Sequence, residues 1–446
     1  MSSDAISALR PCFEGAIPAI MATCAADGTP NVAYISQVFH VDGGHVALSF
    51  QFFNKTRQNI LANPFATLLL MDPRTAAFHR LHVRYLRTET EGPLFEGMKA
   101  QLAGIASHSG MAAVFRLRGA DVYRVESVEA VEGEQLPAPP PRTGLLAAVR
   151  RAADGFARCT ATDELLQGAL AVLTDALGIG HAMVLMHDPA TDRLYTLAST
   201  GYATSGVGSE IPVGHGVIGV AARERTAVRI GHMTNAASYS HALRASVQAD
   251  APELLEVEIP FPGLAQPRSQ IALPIVSAGR LLGVLFAESE CDMAFGFEDE
   301  DALAAIAGHL GTALDLLQAA AEPAAEPPAP PPVRAPVGGT PLQVRRYAVN
   351  DSVFVDGQYL IKGVAGAILC KLLREHASQG RTEFSNRELR LDGSLGLPDV
   401  ADNLEARLLL LQRRLAEQCP ALRIEKTGRG RFALRVARPV RLDEAG

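Results

Sequence analysis

A chain of 446 residues with 48% hydrophobic and 20% charged residues is globular in composition and too long for one ordinary core. Its net charge of −7 excludes a surface coated with cations for nucleic acid. The balance is uneven, however: from Pro341 onward 18 Lys+Arg meet 13 Asp+Glu, against 23 and 35 in the rest, so a basic C-terminal module follows an acidic body.

Six cysteines (Cys12, Cys24, Cys159, Cys291, Cys370 and Cys419) lie far apart, with no C-x-x-C and no zinc-like spacing. This is the thiol usage of a reducing compartment. The N-terminus lacks a basic-then-apolar leader, and no uninterrupted apolar run reaches the ~18 residues of a membrane span. The expectation is a soluble cytoplasmic protein without a metal site. Two Pro-rich stretches divide it, EQLPAPPPR at 134–142 and a longer Pro/Ala-rich one at 319–341, both of the composition of semi-rigid spacers. Domains are therefore expected at 1–133, 143–318 and 342–446.

The first piece is strand-rich. Strands are expected at Ile17–Thr23, Pro30–His40, Gly44–Phe50, Phe65–Asp72, His79–Gly92 and at 121–131, with one helix at Leu94–Ala106. Asp27-Gly28 marks a turn, and Val41 to Gly44 a hairpin. Between strand and helix stands LSFQFFNKTRQNILANP, residues 48–64. It places a cation, a hydroxyl and unpaired backbone N–H groups at a helix N-terminus, which suits a phosphate. An ordinary basic turn capping a helix accounts for the same spacing. His40, His45, His79, His82 and His108 read as surface or core histidines, and Glu89 and Glu91 as a solvated face.

The strand order together with KTRQNILANP resembles the pyridoxamine-phosphate-oxidase-like split barrel over about residues 10–132. The resemblance implies FMN at a dimer interface, with a deazaflavin or haem as alternatives. Lys55 and Thr56 would meet the phosphate, Ser49 and Gln51 would line its approach, and Ser36 would pass beside the ring. Arg57 is the nearest candidate for the second cation that full oxidases of the family supply. No pyridoxamine-phosphate pocket is evident, so cofactor binding is expected rather than oxidase activity, and no catalytic residue is assigned.

The second piece opens with amphipathic helices at Leu145–Cys159 and Asp163–Leu177, the latter ended by Gly178. Strands follow at Ala182–His187 and Leu194–Ser199, then a glycine run (Gly214, Gly216, Gly219), a hairpin turning at Ala278-Gly279, and a helix at Glu298–Gln318. No strand-to-helix context is expected around the glycine run and no acidic ribose partner follows it in a β-α-β unit, so it reads as fold punctuation. The runs IPVGHGVIGVAA, SQIALPIVSAGRLLGVL and FEDEDAL resemble a GAF domain over about 143–318. That implies a sheet with packed helices that binds a small molecule or dimerises. His232, Tyr239, His241 and Cys291 are the pocket candidates, and Asp250–Pro267 is a candidate lid.

In the third piece two short strands flank Asp356-Gly357, a helix spans Val364–His376, and Ser385 to Glu388 is a capping box. A helix from about Pro398 to Gln418 carries the stripe Leu404, Leu408, Leu411 and Leu415. A hairpin closes around Gly428 to Gly430. NLEARLLLLQRRL followed by IEKTGRGRFAL resembles the winged-helix output domain of response regulators, over about 342–438. That implies a third helix in the major groove and a wing on the backbone. Asn403, Arg407, Arg413 and Arg414 on the helix, with Lys426, Arg429 and Arg431 on the hairpin, are the expected DNA contacts. Asp399, Asp402 and Glu405 oppose phosphate there, and some winged helices bind protein instead.

The expected whole is a multidomain α+β chain: split β-barrel, GAF α/β sandwich, C-terminal winged helix. The expected function is a homodimeric cytoplasmic sensor and transcriptional regulator. The alternatives are an FMN-dependent oxidoreductase with regulatory appendages, or a signalling adaptor that binds protein through its winged helix.

Overall fold

The computed structural model describes residues 4–13, 15, 17–35, 38–50, 54–108, 117–138, 140, 142–231, 259–320, 339–395, 397, 404–428 and 430–445. The N-terminal unit carries α1 (Asp4–Ser7), β1 (Ala19–Cys24), β2 (Pro30–Ile35), β3 (Val38–Asp42), β4 (His45–Phe50), α2 (Lys55–Ala62), β5 (Phe65–Met71), β6 (Phe78–Glu89), α3 (Pro93–His108) and β7 (Gly119–Val131). Its strands form one antiparallel sheet in the order β2-β1-β5-β6-β7-β4-β3. The inward side of the sheet closes on Met21, Val46, Leu68, Leu81 and Tyr123, all at 0–1% exposure. The stretch expected as one strand, Pro30–His40, is two. β2 pairs with β1 and β3 with β4, so the two halves lie at opposite edges of the sheet. Alternation cannot reveal such a break, because both halves keep a period of two.

The middle unit comprises α4 (Leu145–Phe156), α5 (Thr162–Ala171), β8 (His181–Asp188), β9 (Arg193–Thr200), β10 (Glu210–Pro212), α6 (Gly216–Glu224), β11 (Val228–Ile230), β12 (Ser269–Ser277), β13 (Arg280–Ser289) and α7 (Phe297–Ala320). The strands order as β10-β9-β8-β13-β12-β11. α4, α5 and α7 cover one face of the sheet and α6 the other. The β12–β13 hairpin turns where expected, with Ala278 at φ 47° and Gly279 at φ 76°. α7 is the one helix among the described residues with the length and mean hydropathy (1.3) of a membrane span. Its Leu303, Ile306, Leu310 and Leu314 are fully buried in the core, which accounts for that composition.

The glycine run does sit between a strand and a helix, β10 and α6, contrary to the sequence reading. It is still punctuation. A Cβ at Gly219 would stand 2.4 Å from the Pro212 carbonyl oxygen, and Gly214 donates its N–H to the Gly219 carbonyl at 2.7 Å. The glycines therefore let the strand end and the helix start lie against each other.

The C-terminal unit comprises β14 (Leu342–Tyr347), β15 (Ser352–Val355), β16 (Gln358–Ile361), α8 (Gly363–Gln379), β17 (Glu383–Ser385), α9 (Asn386–Leu391), α10 (Leu404–Gln418), β18 (Leu422–Gly428), β19 (Arg431–Val436) and β20 (Val440–Ala445). Two small sheets, β16-β15-β14-β20 and β17-β19-β18, flank the helices. Ser385 caps α9, its hydroxyl accepting the Glu388 N–H at 3.3 Å.

The three units are packed together. Ala100 of α3 is buried in the same cluster as Val217, Ala221 and Val228 of the middle unit. The Gln101 side-chain amide donates to the Arg229 carbonyl, and Lys99 pairs with Glu224 at 3.3 Å. A single apolar cluster runs on from Ala148 in α4 to Leu434 in β19, so the middle and C-terminal units share a core. The first Pro-rich linker is held at both ends, by Leu136 N–H on the Thr75 carbonyl and by Arg142 on Asp299.

Candidate cofactor site and a buried arginine face

The phosphate-cradle candidate begins at Asn54. Its side chain caps α2 by accepting the Arg57 N–H at 3.0 Å, which leaves the Lys55 and Thr56 amides outside the helical ladder. Lys55 is exposed, and its charge helps the Thr29 N–H hold the Asp27 carboxyl below its ordinary range. The Thr56 hydroxyl accepts from Asn31 at 3.0 Å, within a polar cluster completed by Thr23 and Asn59. Ser49 is half-buried on β4. Gln51 and Ser36 lie outside the described residues.

Arg57 is placed otherwise than the sequence reading expected. Its guanidinium turns inward to the Asp121 carboxylate, donates to the Thr88 hydroxyl at 3.1 Å and stacks 3.7 Å from the Phe50 ring centre. Thr88 in turn donates to Asp121 at 2.5 Å. Arg57 thus ties α2 to β6 and β7 and is not directed at the helix N-terminus. The residues present fit an anion through Lys55 and the first-turn amides, with one strong cation rather than two.

A second concavity of about 700 Å³ crosses the exposed side of β1, β5, β6 and β7, lined by Thr23, Cys24, Phe65, Thr67, His82 and Arg84. His82 reaches Glu129 at 3.4 Å and Thr67 at 3.3 Å. Among the described residues no three His, Cys, Asp or Glu side chains gather as a metal site. Burial and the nearby Asp72 push the Cys12 thiol up to about 12, so this thiol stays protonated.

In the middle unit His232, Tyr239 and His241 lie outside the described residues. Cys291 is exposed on the turn after β13, its N–H on Ser289. One of the buried polar groups there was not singled out by sequence spacing. Glu288, 1% exposed, accepts from the Leu264 N–H at 2.7 Å and from Gln270 at 3.0 Å. Burial raises its carboxyl above the ordinary value, against the pull of those donors. Tyr202 lies beside it, with its ring centre 5.3 Å from that of His181 at a tilt of 58°, and burial next to Glu288 raises the phenol.

Three of the arginines expected on DNA face inward. Arg407 is 8% exposed, pairs with Asp188 of β8 at 2.7 Å and lies 5.0 Å over the Tyr195 ring. Arg413 binds the Asp163 carboxylate at the start of α5 and the Leu197 carbonyl. Arg414, 6% exposed, donates to the Leu360 carbonyl at 3.0 Å. Lys426 and Arg431 are exposed on the β18–β19 hairpin. Asn403 and Arg429 lie outside the described residues. The departure has a legible cause: Leu408 to Leu411 are four consecutive leucines, spanning about 300° of a helix. All four are at 9% exposure or less. A helix apolar on so many sides has a second surface to bury, and the middle unit covers it.

The family model of pyridoxamine 5'-phosphate oxidase matches residues 6–153, and that of the GAF domain matches 159–315. The chain joins a pyridoxamine 5'-phosphate oxidase-like domain to a GAF domain. Several solved structures are similar over one domain. The GAF domain of an Acinetobacter phosphoenolpyruvate-protein phosphotransferase is 17% identical, with a TM-score of 0.32, covering 40% of this chain and 97% of that one. A free methionine-R-sulfoxide reductase from Neisseria meningitidis in complex with its substrate is 24% identical, TM-score 0.31, covering 42% and 98%. An FMN-binding protein from Syntrophomonas wolfei is 15% identical, TM-score 0.24, covering 29% and 93%. A search of curated proteins gave no match. In these terms the phosphate-cradle candidate and the 700 Å³ concavity belong to the oxidase-like domain, and the Glu288 group to the GAF domain.

Proposed function

We propose that the chain is a cytoplasmic sensor and regulator that couples a flavin-type or small-molecule signal in its first two domains to DNA binding by its C-terminal unit. The observation that supports this most is the continuous packing. α3 of the oxidase-like domain lies on α6 of the GAF domain, and the GAF core runs unbroken into the C-terminal unit. Such packed elements give a change at one end a physical route to the other.

A flavin bound in the oxidase-like domain would supply a redox-dependent ring. Lys55 and the first-turn amides of α2 would hold its phosphate, while Arg57 and Asp121 keep the helix in register behind it. A second copy of this chain is the expected cover for the exposed apolar side chains of this domain, Val32 (67%), Tyr34 (81%) and Phe65 (58%). The reading of the C-terminal unit as a winged helix is supported by its helices followed by the β18–β19 hairpin, on which exposed Lys426 and Arg431 suit phosphate contacts.

The test is direct. The full chain is purified, its visible spectrum read, and FMN titrated in. A colourless protein that does not take up FMN ends the flavin part of the reading. Retention of promoter fragments without turnover of a reduced nicotinamide favours the regulator over an oxidoreductase. One observation favours the adaptor reading: α10 already places its arginines on carboxylates of a protein surface.

A further inference from the structure

The contact between α10 and the GAF domain is more specific than an apolar seam. Arg407 enters a site made by Asp188 and Tyr195. Burial alone would push the Asp188 carboxyl up, yet the Arg407 guanidinium, with Thr191 and the Ala190 N–H, holds it below its ordinary range. Arg413 spans Asp163 and the Leu197 carbonyl. Glu405 accepts from the Thr162 hydroxyl at 3.4 Å, and Glu417 from the Ser205 hydroxyl at 2.6 Å. Lys362, from the turn before α8, reaches Glu210 of β10 at 3.3 Å. At Gly208 (φ 87°) an added Cβ would meet Ile259, Arg414 and Leu410 at 2.6, 3.5 and 3.6 Å. The β9–β10 loop is therefore pressed onto α10.

We propose that this contact is an internal lock. The GAF domain uses Asp163 and Asp188 as stand-ins for phosphate and occupies the arginine face of α10. The packed chain is then the form that does not bind DNA, and separation of α10 from β8, β9 and α5 creates the nucleic-acid surface. This rests on reading the C-terminal unit as a DNA-binding module. The chemistry is that of competition. A guanidinium paired with a carboxylate and buried beneath another domain offers no donor to a phosphate, and the nearby carboxylates repel one. The lock also lies close to the buried Glu288 group. Tyr202, beside buried Glu288, stands in the same β9–β10 loop as Ser205 and Gly208, so a shift of that loop is felt on α10.

The experiment alters only the GAF side and keeps every cation of the C-terminal unit. Full-length wild type is compared with Asp163→Asn/Asp188→Asn and with Asp163→Ala. Asp163 has a half-exposed side chain, so the single variant keeps the test available should the double variant fail to fold. Two readouts are taken, amide hydrogen exchange of α10 and fluorescence-anisotropy binding of a mixed-sequence duplex at about 50 mM salt. The lock predicts exchange of α10 at least about tenfold faster, and duplex affinity at least about tenfold higher with a steeper salt dependence. Unchanged exchange in both variants overturns the lock. Faster exchange with duplex binding equal to a binding-competent wild type overturns it too. Faster exchange with no duplex binding in any protein leaves the contact standing and overturns the DNA-binding reading instead.

Discussion

The Arg57 guanidinium lies on the Asp121 carboxylate across 64 residues of sequence, with Thr88 bridging the two. The pair is nearly closed to solvent, at 12% and 7% side-chain exposure. It joins the helix that follows β4 to the strand that pairs with β4, and so fixes the angle at which the α2 N-terminus faces outward. Removing one member leaves the other buried and unpaired. Arg57→Ala is expected to cost the oxidase-like domain about 3–5 kcal/mol in a chemical denaturation series. Asp121→Asn, which keeps the shape and a hydrogen-bond acceptor, should cost less.

Lys55 stands on the other side of the same turn and is solvent-exposed. Lys55→Ala should change stability by no more than about 0.5 kcal/mol. If the α2 N-terminus holds a flavin phosphate, the same change weakens FMN roughly tenfold, since one charge-assisted contact is lost. Titration followed by flavin fluorescence checks this. Equal FMN affinity in the variant and wild type assigns the phosphate elsewhere.

His40 gives the seam between the first two domains a pH dependence. It lines a cavity of about 70 Å³ with Phe13, Phe39, Gln101, Arg229 and Phe297. Burial lowers its pKa from 6.5, and the Arg10 charge lowers it further, against Asp42 and Asp301. A histidine depressed in the fold contributes stability that is fully present above 6.5 and is lost as pH falls through its lower folded value. Melting curves between about pH 8 and 5 should show this loss in the wild type, and His40→Gln should flatten it.

Gly219 is a steric requirement rather than a ligand glycine. Gly219→Ala drives a Cβ to 2.4 Å from the Pro212 carbonyl and is expected to cost about 1–3 kcal/mol. Gly216→Ala makes no such contact, but its φ of 63° makes it strained as well. Thermal unfolding of both variants separates crowding from backbone strain.

Leu310 of α7 is fully buried, so Leu310→Ala should cost about 2–5 kcal/mol by removing methyl groups and leaving a cavity. An unfolding midpoint within a degree of wild type would show that α7 does not form the core described.

Much of this was carried by local pattern. Period-two runs and turn residues such as Asp27-Gly28 place the strands of the first unit, and the leucine spacing of α7 places its buried face. Both follow from side-chain direction along a strand or helix and need no knowledge of neighbours. The N-terminal capping of α9 by Ser385 was legible from the capping-box spacing Ser385 to Glu388.

Other features were settled only when distant segments met. Lys55 and Arg57 are both cations on one turn, and nothing local distinguishes the exposed one from the one paired with Asp121. Glu288 reads as a surface carboxylate at a strand end until Leu264, Gln270 and Tyr202 close over it. Sequence by itself determined most of the strands and helices and their apolar faces, though not the break within Pro30–His40. Only the tertiary structure decided where the charges go. A cation's role depends on the carboxylate opposite it and on how much water remains between them, and for Arg407 that partner, Asp188, lies in another domain.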